Sequence, residues 1–264
     1  MSSTLADTFP FRLPPRAEDL PWSDGEPMES DRHVKQMTLL IESLRMEWID
    51  RKDVFVGGNM FVYFSESQAK KNDFRGPDVF VVLDAEEKER RLSWVVWGEG
   101  GRTPDVVIEL TSTSTEAVDR GKKMDIYARR MHVSGYYLFD PLSPKLDGFR
   151  LDSDSRSYRP LVPLADGDLP VSALGLRLGL RPGSYLGEGG PWLRWLSTDG
   201  RVIPTNEERA AEAQRKTVEA QREAAEAHRE TAEAQREAAE AHQAAERLEA
   251  RLRAYEARFG PING

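Results

Sequence analysis

The 264-residue chain has no cysteine. Disulfides, thiolate metal sites and cysteine nucleophiles are excluded, and the composition fits a cytoplasmic protein. Long apolar runs are missing too: no stretch approaches the roughly 18 residues of a membrane span. The opening MSSTLADTFPFRLPPR does not set an apolar stretch behind a charged start, so no secretory leader is expected. Positive charge is not in excess. The formal net charge is −8, so no global basic field announces nucleic acid, although a local basic patch is compatible with that total. Histidine is scarce, and His33, His132, His228 and His242 show no metal-ligand spacing. No phosphate-binding glycine loop, nucleophile elbow or dinucleotide fingerprint occurs.

What is present is unevenly spread. From Asn206 to Phe259 there is no Gly or Pro, with 13 acidic and 10 basic residues among alanines and glutamines. This tail repeats with period seven: EAQREAA from Glu219, EAHRETA from Glu226, EAQREAA from Glu233 and EAHQAAE from Glu240. Two apolar stripes split each period into three and four, as in a coiled coil. Alanine favours helix but buries little area, so the better contact is the Leu248, Leu252, Tyr255, Phe259 end. A solvated single helix and a weak coiled coil are both consistent with this pattern. Three segments are expected: an arm over 1–30 with five prolines, a body over 31–204 and a helical tail over 205–264.

The body reads as an α/β unit. Val34, Met37, Leu40, Ile41, Leu44 and Trp48 recur at helical spacing and predict a helix from Asp31 to Asp50. DVFVGGNMFVYFSE predicts a hairpin turning at Gly57-Gly58. Apolar strands are expected at 76–84, in the WVVW run, at 103–112 and at 135–141. Between the last two, Thr113 to Glu116 matches a capping box for a helix ending at Met131.

Two carboxylates break the pattern. Glu109 sits inside the apolar run DVVIEL, where a lone carboxylate costs several kcal/mol unless paired, neutralised or bound to a cation. Asp78 heads the apolar strand FVVL. If the two strands are neighbours, the carboxylates converge, and hard oxygen ligands with water suit Mg²⁺ or Mn²⁺. The structural alternative is a Glu109–arginine pair with Asp78 as a turn residue after Pro77. On the following helix Met124, Tyr127, Ala128 and Met131 form the inward stripe. Lys123 then falls at its boundary, able to lay its stem on the core and deliver an ammonium into a cleft. Lys122 points to water.

The stretch GPDVFVV … TPDVVIELTSTST … DRGKKMDIYARRMHVSGYYLFDP resembles the Uma2 family of putative restriction endonucleases, within the PD-(D/E)XK nuclease superfamily. The likeness covers residues 31–164 and extends to LRWLSTDGRVIPTNEERAAEAQR. It implies a restriction-endonuclease-like core with a central mixed sheet flanked by helices. It also implies a metal-dependent endonuclease acting on DNA. Asp78 and Glu109 match the two motif carboxylates. The superfamily's lysine two positions after the glutamate is missing, since Thr111 stands there; Lys123 on the helix takes its place. The resemblance implies Mg²⁺, or Mn²⁺, held by Asp78, Glu109 and the Leu110 carbonyl, with Lys123 at the phosphate. Tyr127 is read as packing, and Asp119 and Arg120 as holding the loop. Lys70, Lys71, Arg75, Arg129 and Arg130 are the candidate DNA contacts. A homodimer through the body or the tail is a further expectation. The competing class is an interaction or nucleic-acid-binding protein that keeps the fold and assembles through its tail.

Overall fold

A computed structural model of the chain describes residues 14–21, 30–65 and 75–260. It divides into two units, Met1–Asn206 and Glu207–Gly264. Most of the proline-rich arm, with Lys70 and Lys71, lies outside the described residues.

The first long element of the body is α1 (Asp31–Glu47). Ser30 caps it, its hydroxyl accepting the His33 N–H at 3.3 Å. Leu40 and Leu44 are fully buried, while Val34, at the start of the expected stripe, is exposed. Eight strands follow: β1 (Val54–Gly57), β2 (Val62–Tyr63), β3 (Val79–Leu83), β4 (Trp94–Val95), β5 (Val106–Leu110), β6 (Gly135–Asp140), β7 (Lys145–Asp152) and β8 (Ser157–Pro160). Six of them form one mixed sheet in the order β1-β3-β5-β6-β7-β8. Within it β5 and β6 are parallel, and the other neighbours are antiparallel. A parallel pair needs a crossover, and the helical segment 116–131, here α2, supplies it.

The expected hairpin at Gly57-Gly58 does not form. Strand β1 pairs with β3, and β2 pairs in parallel with β4. A two-residue hairpin turn needs positive φ, and among the described residues neither glycine has it; Asn59 does, at 47°. Gly58 serves a close approach instead. A Cβ there would lie 1.9 Å from the Asp78 carbonyl oxygen.

The sheet has two packed faces because successive side chains alternate. On one face Val79, Val81, Val106, Ile108 and Leu110 pack with α1 and with a second, three-stranded sheet. That sheet comprises β9 (Leu169–Val171), β10 (Leu176–Tyr185) and β11 (Glu188–Ser197). The buried Gln36 amide ties α1 to β11, donating to the Leu193 carbonyl and accepting its N–H, each at 3.0 Å. On the opposite face Phe80, Val82 and Val107 pack with Trp94, Tyr127, Met131 and Tyr136.

The start of α2 differs from the expected capping box. The reciprocal pair is Ser112 with Thr115: the Ser112 N–H donates to Thr115 Oγ1 at 3.0 Å, and the Thr115 N–H to Ser112 Oγ at 3.3 Å. The helix is also not regular. Asp119–Lys123 and Tyr127–Met131 are wound as wider π-helical turns, a local widening frequent at functional sites. It stops at His132, which is left-handed with φ 54°.

The second unit is carried by α3 (Asn206–Phe259), 54 residues with no buried side chain.

Candidate active site

The site starts from strand register. Val79 stands opposite Ile108, so one step further sets Asp78 opposite Glu109. Alternation puts both side chains on the α2 face. The main-chain groups of Glu109 leave toward β6, the edge on which the Thr111 N–H donates to the Phe139 carbonyl at 2.7 Å. An antiparallel pair of this kind, without mutual main-chain bonds, has its side chains closest. Leu110 faces the other way, and its N–H donates to Asp78 Oδ2 at 2.7 Å. In an extended strand the carbonyl leaves the same edge as the N–H, so the Leu110 carbonyl is also directed to the Asp78 side.

Helix α2 supplies the rest. Glu109 is 1% exposed. Its Oε1 accepts the Tyr127 hydroxyl at 2.7 Å, and its Oε2 lies 3.1 Å from Lys123 Nζ. Lys123 Nζ also lies 2.8 Å from Asp119 Oδ1, and Asp119 is itself buried. The Asp119 carbonyl accepts the Tyr136 hydroxyl at 3.0 Å. Lys123 is thus stretched between one carboxylate on the strand and one on its own helix.

The electrostatics follow from burial. The Asp78 carboxyl is pushed well above the usual carboxylate range, first by burial and then by Glu109 beside it; the Leu110 N–H and Lys123 act in the opposite sense. Burial also raises Glu109, with Asp119 adding to the rise while Lys123 and Tyr127 oppose it. For Lys123 burial favours the neutral form, but Glu109 and Asp119 outweigh it and hold the ammonium charged above its ordinary value. Burial first, then Glu109, keeps the Tyr127 phenol protonated, so it acts as a donor.

The expected residues Asp78, Glu109 and Lys123 are therefore brought together. Arg75 joins their edge: with Asn59, Phe61, Gly76, Val118, Lys122 and Lys123 it lines a cavity of about 280 Å³. Arg129 and Arg130 stand apart, lining a different cleft with Asp125, Ser155 and Arg156; Arg129 is held by Asp125 at 2.7 Å. Arg120 does hold α2, through Glu116 at 2.8 Å and through Asp147 on β7. Two side chains gain a place that the sequence reading withheld. Tyr127 packs as expected but also donates to Glu109, and Asp119 grips the lysine rather than merely the loop. The signal for Asp119 was its spacing of four from Lys123 on one helix. A larger cleft, about 720 Å³, lies between residues 14–18 and 88–99; its one inward carboxylate, Glu99, is already held by Lys88 and Arg91, each at 3.0 Å.

Among the described residues no group of three or more His, Cys, Asp or Glu side chains is arranged to hold a metal. Two carboxylates and a main-chain carbonyl nevertheless fit Mg²⁺, which keeps several waters and takes only one or two carboxylates. The mutual opposition of Asp78 and Glu109 in a buried setting is what a cation would relieve.

The sequence model of the Uma2 family, described as putative restriction endonuclease, matches residues 6–184. Among solved structures, a putative nuclease belonging to DUF820 from Anabaena variabilis ATCC 29413 is 15% identical, with a TM-score of 0.41 over 61% of this chain and 86% of that chain. Comparison with curated proteins gave no match. With more than half of its length matched, the chain belongs to the Uma2 family of putative restriction endonucleases.

Proposed function

We propose that the chain is a metal-dependent endonuclease that hydrolyses DNA phosphodiester bonds, using Mg²⁺ or Mn²⁺. The observation that carries this reading is the convergence of Asp78 and Glu109 across β3 and β5, with Lys123 at 3.1 Å from Glu109. Asp78, Glu109 and the Leu110 carbonyl would hold the cation. When bound, it polarises the phosphate and lowers the pKa of an attacking water. The protein's own part is positional. Tyr127 fixes one Glu109 oxygen by donating to it, leaving the carboxylate one orientation. The Leu110 N–H does the same for Asp78. Lys123, kept charged by its two acidic neighbours, orients the nucleophilic water or stabilises charge growing on the phosphoryl oxygens. Lys122, exposed on the rim of the same cavity, offers a cation to a flanking backbone phosphate, whereas Arg75 is buried beneath it. Such contacts weaken as salt rises.

The test is cleavage of supercoiled, linear and branched DNA by the full chain with Mg²⁺ or Mn²⁺, beside Glu109→Gln. That variant keeps the side chain's shape and leaves Lys123 held by Asp119. It should lose calorimetric metal binding and cleavage together, with the fold unchanged by circular dichroism. Cleavage at the parent rate would show that the site is misassigned.

A further inference from the structure

We propose that α3 pairs with a second copy of this chain as a parallel, in-register two-stranded coiled coil, anchored by its last two heptads. The proposal does not depend on the nuclease reading. All four large apolar side chains near the end of α3 are open to solvent: Leu248, Leu252, Tyr255 and Phe259 are between 47% and 68% exposed. They fall at spacings of four, three and four, and the rings of Tyr255 and Phe259 lie 4.9 Å apart. This is a continuous seam with Leu248 and Tyr255 at d and Leu252 and Phe259 at a. Nothing within the helix covers it.

The flanking charges identify the occupant and its direction. In this register Arg251 is at g and Glu256 at e. Residues five apart lie on different sides of one helix, so these two do not meet within a chain. Arg251 has no acidic residue three or four positions away. Within that range Glu256 has a single basic neighbour, Arg253, which is engaged with Glu249 at 3.1 Å. In a parallel pair the g residue of one helix faces the e residue five positions on in the other. Arg251 then meets Glu256 of the second copy, twice per dimer by symmetry. Upstream the same g-to-e positions set Glu223 against His228 and Glu237 against His242, although His242 also lies 3.6 Å from Glu246 of its own helix. An antiparallel pair through the same seam sets g against g and e against e. That juxtaposes Arg251 and Arg258 on one side and Glu249 and Glu256 on the other, like against like. The alanine section adds little area but offers no bulk to keep two helices apart.

The absence of cysteine makes the orientation measurable on the full chain. Single variants Ala220→Cys and Ala241→Cys, both at d, should each give a disulfide-linked dimer under mild oxidation. Gln243→Cys, on the outer face, should not. In sedimentation velocity Arg251→Glu or Glu256→Arg alone should weaken association by about tenfold, as attractive pairs become repulsive. An equimolar mixture of the two should restore it, because the heterodimer regains both pairs. A chain that stays monomeric overturns the proposal. So does cross-linking at Gln243 equal to that at Ala241, or a loss in the single variants that the mixture does not rescue. A dimer indifferent to both charge variants, with no preference for the d positions, assigns association to the body and overturns it equally.

Discussion

Lys122 and Lys123 are adjacent lysines with different surroundings. Lys122 is exposed, whereas Lys123 is clasped between Glu109 and Asp119 at 3.1 and 2.8 Å. If the site works as proposed, Lys123→Ala should lower turnover by about 10²–10³-fold, the usual loss for a positioned charge in a transition state. Lys122→Ala should weaken only encounter with DNA, and added salt should reproduce that effect alone. Cleavage rates of both variants at two salt concentrations separate the cases. Equal, salt-dependent losses would remove Lys123 from the chemistry. At this scale the sequence was informative because polar residues stood out against apolar runs. Glu109 was conspicuous inside DVVIEL, and the helical wheel placed Lys123 on the core boundary. Asp119 was not conspicuous: it sits in the charged segment DRGKK, and only the folded helix shows that its carboxylate is buried against the lysine.

Elements were legible where a single period dominates. The apolar runs around Val79 and Val106 became β3 and β5, and the stripe before residue 50 became α1. Glycine misled, since Gly57-Gly58 reads as a turn when neighbours in space are unknown. Its actual use is checked by substitution. A Cβ at Gly58 meets the Asp78 carbonyl oxygen at 1.9 Å and Ile41 Cδ1 at 2.8 Å, whereas a Cβ at Gly57 meets only the Phe55 ring, at 2.6 Å. A ring edge can swing aside, but a strand backbone cannot. Gly58→Ala should therefore destabilise the body by about 1–3 kcal/mol, and the displacement of Asp78 should cut activity by on the order of 10²-fold. Gly57→Ala should be milder on both counts. Thermal unfolding and cleavage assays compare them; equal behaviour would show that Gly58 does not set the position of Asp78. The π-helical turns of α2 were not legible, because the apolar spacing of Met124, Tyr127, Ala128 and Met131 reads as an ordinary helix.

Across the whole molecule, the abrupt loss of Gly, Pro and most aromatics marks where α3 begins. The order of strands carried no such mark, since alternation tells which side chains share a face but not which strand lies beside which. That order has a kinetic consequence. Asp78 and Glu109 come from strands far apart in the chain and meet only when β3 and β5 close the middle of the sheet. Both carboxyls are raised in the folded state, so the native metal-free chain binds protons that the unfolded chain has released. Its stability therefore falls as pH climbs from the ordinary carboxylate range through the raised values. The raised Lys123 loses its contribution only above the ordinary lysine range, outside that window. Folding barriers are crossed with most native surface already buried, so the two negative charges are brought together on the way up. Stopped-flow refolding, followed through the six tryptophans, should slow as pH rises across that window. Asp78→Asn should flatten the dependence. A pH effect confined to the unfolding rate would mean instead that the sheet closes at its centre only after the barrier has been passed.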